Sequence, residues 1–359
     1  MITARTKPRH GAVIVLSLFL LVAMPVSSNT GTLLVVNKSD NTVSMLDLAT
    51  AQSIAVLRTG NGPHEVAVSP DGTTAVVSNY GPASKPGNSL TVIDIASAEV
   101  VNTINLDDYR RPHGLAWLPD NLRVLVTVED NQAVVLVDIE QGEVIRSIRT
   151  GESVSHMLAI DPAGTHAYVT NLGSGSISVV DIEGGILKAT VDAGEGTEGI
   201  GLSPDGKQLW VTNRESDTVV VYELATMDTL ATLHSPGFPI RVILSPDGQE
   251  AMVSRAQAGR VEFYNTSTLQ SSGDVSMPRE YSMKNGRWLG GGLGYYPMPI
   301  GILYHPDGKT AYVANSFAGY IAVVDVATRQ VTTTLEAGSE PDGMAHSYVK
   351  PGITGGSIR

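Results

Sequence analysis

A unit of about 42 residues recurs along this chain, and that repeat restricts the possible folds more than any other feature. In one copy, residues 198–224, an apolar run ends in the turn sequence Ser-Pro-Asp-Gly at 203–206. A second run stops at Asn213, and a third covers 219–222. Short runs of β-branched and aromatic residues between turn signals are typical of strands. The unit is therefore predicted to be an antiparallel meander.

The turn proline marks six copies of this unit along the chain. It recurs, at spacings of 49, 43, 42, 42 and 60 residues, as Pro70, Pro119, Pro162, Pro204, Pro246 and Pro306. A fourth apolar run follows the third in most copies, as at 100–104. Four strands at a period near 42 residues indicate the blades of a β-propeller.

A seventh copy is divided between the two ends of the sequence. Residues 32–60 contain three strand-like runs without a preceding first strand, whereas residues 341–349 read as a first strand with no successor. Pairing these segments in one sheet would close the ring and remove exposed edges. The predicted fold is therefore all-β: a seven-bladed propeller of four-stranded blades, closed by pairing 32–60 with 341–349.

Two resemblances follow from short motifs. Residues 168–171 read Tyr-Val-Thr-Asn, with close copies at 211–213 and 312–315, so the chain resembles the YVTN family of β-propeller repeat proteins over about residues 32–349. That resemblance implies the fold and says little about activity. The Pro-His pairs that end in His64 and His113 resemble strand starts of seven-bladed lactonase-type propellers, which implies a lactonase-like activity.

The N-terminal segment 1–28 is predicted to be a signal peptide. Three cations precede the apolar run 12–24, and small residues follow it, so cleavage is expected near Ser28 and the product is expected in the periplasm or outside the cell. An uncleaved anchor is the alternative. Residues 29–359 are predicted to form a single propeller domain without a transmembrane segment after processing.

Charge and cysteine content restrict the partners. The formal net charge is -12, and removing residues 1–28 would bring it to about -15, with 21 Lys and Arg against 36 Asp and Glu. Such a body repels phosphate backbones, which argues against general nucleic-acid binding. Cysteine is absent, so neither disulfides nor a cysteine nucleophile contribute.

A polar arc is predicted at one mouth of the channel. The position six residues before each turn proline, with its counterpart in the divided blade, holds His64, His113, His156, Glu198, Ile240, Ile300 and Asp342. Three imidazoles and a carboxylate suit a divalent transition metal, so His64, His113, His156 and Glu198 are candidate ligands. Asp342 is either a further ligand or a partner that orients a histidine. Hydration of the channel mouth is the alternative role.

A small, anionic ligand is expected beside this arc. The candidate substrate-binding residues combine cations with aromatic side chains, namely Arg110, Arg111, Arg241, Arg255, Arg287, Trp288, Tyr295 and Tyr296. The last four lie in an insertion at about 273–298, which is expected to close over the channel mouth, and a second insertion covers 80–88. The glycines at 290–294 lack the context of a phosphate-binding loop, so no nucleotide cofactor is expected.

Two functions remain compatible with these features. In the first, the protein is a metal-assisted enzyme, a hydrolase or lyase that acts on a small molecule. In the second, it is a non-catalytic YVTN propeller that binds a ligand, a protein or a cell-envelope component. Neither the substrate, the metal nor the oligomeric state follows from the sequence.

Overall fold

The computed structural model describes residues 30–279 and 297–352, which form 28 strands and one short 3-10 helix, Glu129–Asn131. Both the predicted signal peptide and most of the long insertion, including Arg287, Trp288, Tyr295 and Tyr296, lie outside the described residues. Within these two ranges, no helix is long and apolar enough to cross a membrane.

The strands, numbered β1 to β28 in chain order, fall into seven sheets of four strands each. The innermost strands are β4 (Pro63–Val68), β8 (Pro112–Trp117), β12 (Ser155–Ile160), β16 (Thr197–Leu202), β20 (Pro239–Leu244), β24 (Pro299–Tyr304) and β28 (Pro341–Ser347). The second strands are β1 (Thr32–Asn37), β5 (Thr74–Asn79), β9 (Arg123–Val128), β13 (His166–Asn171), β17 (Gln208–Asn213), β21 (Glu250–Arg255) and β25 (Thr310–Asn315).

The outer half of each sheet completes the blade. The third strands are β2 (Thr42–Asp47), β6 (Ser89–Asp94), β10 (Ala133–Asp138), β14 (Ser176–Asp181), β18 (Thr218–Glu223), β22 (Arg260–Asn265) and β26 (Tyr320–Asp325). The outermost strands are β3 (Gln52–Arg58), β7 (Glu99–Asn105), β11 (Glu143–Arg149), β15 (Ile186–Asp192), β19 (Thr229–His234), β23 (Gln270–Ser276) and β27 (Gln330–Glu336).

These sheets close into a ring, which confirms the predicted seven-bladed propeller. Each innermost strand contacts the innermost strands of both neighbouring blades. Blade 1 consists of β28 with β1 to β3, and blades 2 to 7 follow in chain order from β4 to β27. Within blade 1, β28 pairs antiparallel with β1, and Leu34 lies opposite Ala345. The first and last described strands therefore share one sheet, ordered β28-β1-β2-β3, as the divided repeat predicted.

The hydrophobic core lies between the blades and consists mainly of second and third strands. One cluster joins β17 and β18 of blade 5 to β13 of blade 4 and includes the buried side chain of Tyr222. The outermost strands are largely exposed. Burial of one large apolar side chain contributes about 1.5–3 kcal/mol. The seven apolar interfaces between adjacent blades can therefore stabilise the ring without disulfides.

Buried asparagines fix the connection between strands within a blade. Asn171, the last residue of the Tyr-Val-Thr-Asn motif, donates from Nδ2 to Ser178 Oγ over 2.9 Å, while its Oδ1 accepts from Ser155 Oγ over 3.0 Å. One side chain thus links the innermost, second and third strands of blade 4.

Candidate metal centre

The polar arc lies at the top of the propeller, defined here as the face at which the innermost strands begin. Each arc residue is the second residue of its innermost strand. Threonines of the preceding blade hold this register: Thr127 Oγ1 donates to the carbonyl of His156, and Thr170 Oγ1 donates to that of Glu198, both over 2.6 Å. A threonine on the second strand of one blade therefore fixes the backbone of the arc residue in the next blade.

Three side chains come together as a buried group suited to a metal ion. His113, Glu129 and His156 each offer one ligand atom, and these atoms lie within 4.8 Å of one another. Among the described residues, the buried His113 Nδ1 has no hydrogen-bond partner, and the nearest acceptor to His156 Nε2 is Glu198 Oε1, at 3.5 Å. Two imidazole nitrogens and a carboxylate form a donor set that zinc and related divalent ions accept.

The histidines form a continuous stack. Ring centroids of His113 and His156 are 3.8 Å apart, and those of His64 and His113 are 4.8 Å apart. Burial lowers the pKa of His64 to about 3 and that of His113 well below its ordinary value. Both rings are therefore neutral at pH 7, the state in which an imidazole nitrogen can bind a metal.

His156 differs because it lies between two carboxylates. Its Nδ1 is 2.6 Å from Glu129 Oε1, and its Nε2 is 3.5 Å from Glu198 Oε1. Burial alone would lower the pKa of His156, but Glu129 and Glu198 outweigh burial and raise it to about 9. Without a metal, this side chain is an imidazolium ion that balances the carboxylates around it.

Glu198, a predicted ligand, is engaged by cations on several sides. Arg214 Nη1 approaches its Oε2 at 2.6 Å, and Arg241 Nη1 approaches its Oε1 at 3.4 Å. Burial would raise the pKa of Glu198, but His156 and the two guanidinium groups outweigh it and lower the pKa to about 2. Glu198 is therefore ionised and lies beside the buried group of three.

A buried ion pair crosses the channel directly below the arc. Arg241 Nη2 of blade 6 is 2.5 Å from Glu65 Oε1 of blade 2. Glycine occupies the same register in four other blades, where neighbouring innermost strands approach closely; a Cβ at Gly301 would lie 2.0 Å from the carbonyl oxygen of Asp342. Arg241, predicted to bind substrate, forms part of the floor of the site.

The opposite side of the arc carries a looser set of contacts. His64 Nδ1 is 3.5 Å from Asp342 Oδ2, and Lys38 Nζ is 4.0 Å from the same oxygen. Asp342 is buried, and within the described chain its Oδ1 has no hydrogen-bond partner. His64 thus lies outside the buried group of three, although its ring is next to that of His113, and its Nδ1 is directed towards Asp342.

A cavity of about 420 Å³ opens above this network. Its lining combines the histidines with two arginines and a tyrosine: His64, Tyr80, Arg111, His113, Glu129, Asp130, Val154, His156, Leu172 and Arg214. A second cavity, of about 700 Å³, shares Val154, Leu172 and Arg214 with the first and continues outward over blades 4 and 5. The site can therefore accommodate a small molecule whose distal part extends over the top face.

The remaining predicted arginines lie apart from the cavity lining. Arg110 is exposed, and its backbone amide donates to Asn131 Oδ1 over 2.7 Å. Arg255 pairs with Glu262 at 3.0 Å within blade 6. Of the predicted cations in the described chain, only Arg111 lines the cavity.

Sequence reasoning missed Tyr80, Glu129 and Arg214. Each directly follows a second strand, ten residues after the turn proline, so all three belong to one register next to the asparagine position. In the other blades this register holds lysine, leucine, alanine or serine. Comparing this second register across the blades would have identified the three residues.

The fold and site define the class: a seven-bladed β-propeller with a buried His-Glu-His group at the top of its channel. A family model described as a YNCE-like beta-propeller matches residues 21–124. The comparison with curated proteins gives no match.

Solved structures support the fold alone. A chain titled Kuenenia stuttgartiensis hydrazine synthase is 20% identical, with a TM-score of 0.68, over 83% of this chain and 93% of that chain. A functionally unknown protein from Desulfotomaculum acetoxidans DSM 771 is 14% identical, with a TM-score of 0.71, over 90% of this chain and 100% of that one. At such identities, similarity extends to architecture and not to chemistry.

Proposed function

We propose that the top cavity holds a divalent transition metal and that the protein is a metal-assisted hydrolase or lyase acting on a small anionic molecule. The observation that carries this proposal is the buried group of His113, Glu129 and His156, in which His113 Nδ1 has no described hydrogen-bond partner. A bound divalent ion supplies Lewis acidity towards a carbonyl or lowers the pKa of water. A lactonase-like hydrolysis fits this chemistry.

The charge around the group supports a cation at this position. Four carboxylates face the upper channel, namely Glu65, Glu129, Glu198 and Asp342, and three permanent cations contact them, namely Lys38, Arg214 and Arg241. One negative charge remains, which an imidazolium at His156 balances; a divalent ion in its place would leave one positive charge for the anionic ligand. Metal binding therefore replaces one cation by another in a site already built for positive charge.

The residues around the ion have separable roles in this proposal. Glu198 stays in its contacts with Arg214 and Arg241 and supports His156. His64, oriented by Asp342, faces the same cavity and is available for hydrogen bonding to a ligand. Arg111 and Arg214 line the cavity and favour a carboxylate or phosphate group on that ligand.

A non-catalytic propeller of the YVTN type, which binds a ligand or an envelope component, is the second candidate. It is favoured by the ion pairs of His156, since an imidazolium between Glu129 and Glu198 satisfies the site without any metal. In either case we propose a mature single domain, 29–359, exported to the periplasm or beyond. N-terminal sequencing of the mature protein tests cleavage near Ser28.

Elemental analysis of protein purified without a histidine tag tests the metal proposal. We expect about one transition-metal ion per chain, lost in His113→Ala and retained in the control His234→Ala, whose histidine is exposed on an outermost strand. Wild-type protein that stays metal-free after incubation with zinc, cobalt or manganese salts would contradict the metal site. That result would favour the second candidate, the non-catalytic binding propeller.

A further inference from the structure

Tyr80 lies above the histidine stack at the start of the insertion 80–88. Its backbone is fixed on both sides: the amide donates to the carbonyl of Gly62 over 3.0 Å, and the carbonyl accepts from the amide of Gly87 over 2.7 Å. A Cβ at Gly87 would lie 1.9 Å from the carbonyl oxygen of Asn79, so the loop can close this tightly only with glycine there. The insertion therefore places one aromatic side chain in a defined position.

The side chain of Tyr80 contacts the proposed metal group directly. Its hydroxyl donates to Glu129 Oε2 over 2.6 Å, and its ring lies 4.6 Å from His64 and 5.5 Å from His113. The guanidinium carbon of Arg111 lies over the phenol ring, 4.7 Å from its centroid. These ring contacts restrict the side chain and keep the hydroxyl directed at Glu129.

Through Glu129, the hydroxyl of Tyr80 is connected to His156, a member of the proposed metal group. Glu129 accepts from Tyr80 at Oε2 and from His156 Nδ1 at Oε1. Hydrogen bonds of this kind fix the direction of a ligand side chain and tune its affinity for the ion.

We propose that Tyr80 is a positioning residue for the metal: through Glu129 it holds the carboxylate and the His156 ring in the orientation that binds the ion. The inference rests on the proposed function, because it assumes a metal at His113, Glu129 and His156. It assigns the insertion 80–88 a specific role, which is to deliver this hydroxyl. Partners of this kind change metal affinity about 10–100-fold when removed.

Titration of metal-free protein with zinc, and separately with cobalt, tests the proposal on Tyr80→Phe. The variant keeps the ring and its packing but removes the hydroxyl. We expect zinc to bind about 10–100-fold more weakly and the cobalt absorption bands to shift, because the Glu129 carboxylate is released. A control is Tyr312→Phe: Tyr312 is buried and its hydroxyl has no described partner, so affinity and spectrum should stay unchanged.

The outcomes separate the two proposals. Wild-type protein that binds neither ion contradicts the proposed function itself. Wild-type and Tyr80→Phe proteins with equal zinc affinity and identical cobalt spectra contradict only the role of Tyr80.

Discussion

At the scale of single residues, the upper channel depends on charges that compensate one another across the axis. Arg241 is buried between Glu65 and Glu198, and these two carboxylates come from blades 2 and 5. Burial would lower the pKa of Arg241, but the two carboxylates outweigh burial and raise it, so the guanidinium remains charged. Loss of one member of such a network leaves a buried charge without compensation.

Replacing Arg241 by methionine should therefore be strongly destabilising. We expect Arg241→Met to lower the free energy of unfolding by about 3–5 kcal/mol, because Glu65 loses its partner. Arg214→Met is the matched control: Arg214 also contacts Glu198, but its side chain is 28% exposed, so the loss should be smaller. Urea unfolding at pH 7 measures both.

The double variant Arg241→Met/Glu65→Gln, measured together with Glu65→Gln alone, isolates the interaction between these two residues. Its free energy of unfolding should exceed that of Arg241→Met alone, because the second change removes the uncompensated carboxylate. An Arg241→Met protein that is as stable as wild type would show that the ion pair across the channel contributes nothing.

At the scale of strands, the channel is narrow because glycines allow the innermost strands to approach one another. A Cβ at Gly199 would lie 2.2 Å from the carbonyl oxygen of Ile240, and Gly301 is closer still to its neighbouring strand. Backbone cannot move away from such a Cβ as a flexible side chain can. The spacing of these strands sets the distances between arc residues in adjacent blades.

Gly301→Ala should accordingly force blades 7 and 1 apart at the top of the channel. The new methyl group would lie 2.0 Å from the carbonyl oxygen of Asp342, so we expect a loss of about 1–3 kcal/mol or more in the free energy of unfolding. Gly352→Ala is the control, because nothing lies within 4 Å of its Cβ position. Equal thermal stability of the two variants would contradict this account of the glycine register.

The sequence predicted the strands and the arc register because both repeat at a nearly constant spacing. It did not predict the partners of those residues, since contacts between blades join positions far apart in the chain. Arg241 lies 176 residues from Glu65, and nothing local distinguishes a cation paired across a channel from one that binds a ligand. Glu129 was missed because its register holds a different residue type in each blade.

At the scale of the whole molecule, the ring is closed by hydrogen bonds instead of by a covalent link within blade 1. β28 pairs with β1 over most of its length, and Thr32 Oγ1 donates to the carbonyl of Val349 over 2.8 Å. The same strand carries Asp342 and contacts the innermost strands of blades 2 and 7. Ring closure and the site thus depend on one C-terminal segment.

A chain that ends at residue 338 lacks β28 and should therefore lose the stability that ring closure gives to the whole propeller. Without β28, blade 1 presents the edge of β1, and the apolar contacts of Met344 and Ala345 disappear, so we expect a much lower melting temperature and self-association through the open edge. A chain that ends at Gly352 keeps β28 and is the length control.

A circular permutant that places 339–352, through a short linker, ahead of residue 30 joins β28 covalently to its own blade. It should restore the melting temperature and the monomer-to-aggregate ratio seen by light scattering, because the same strand pairs are formed. If the truncated chain melts like wild type, or if the permutant fails to recover, closure by β28 does not hold the ring together.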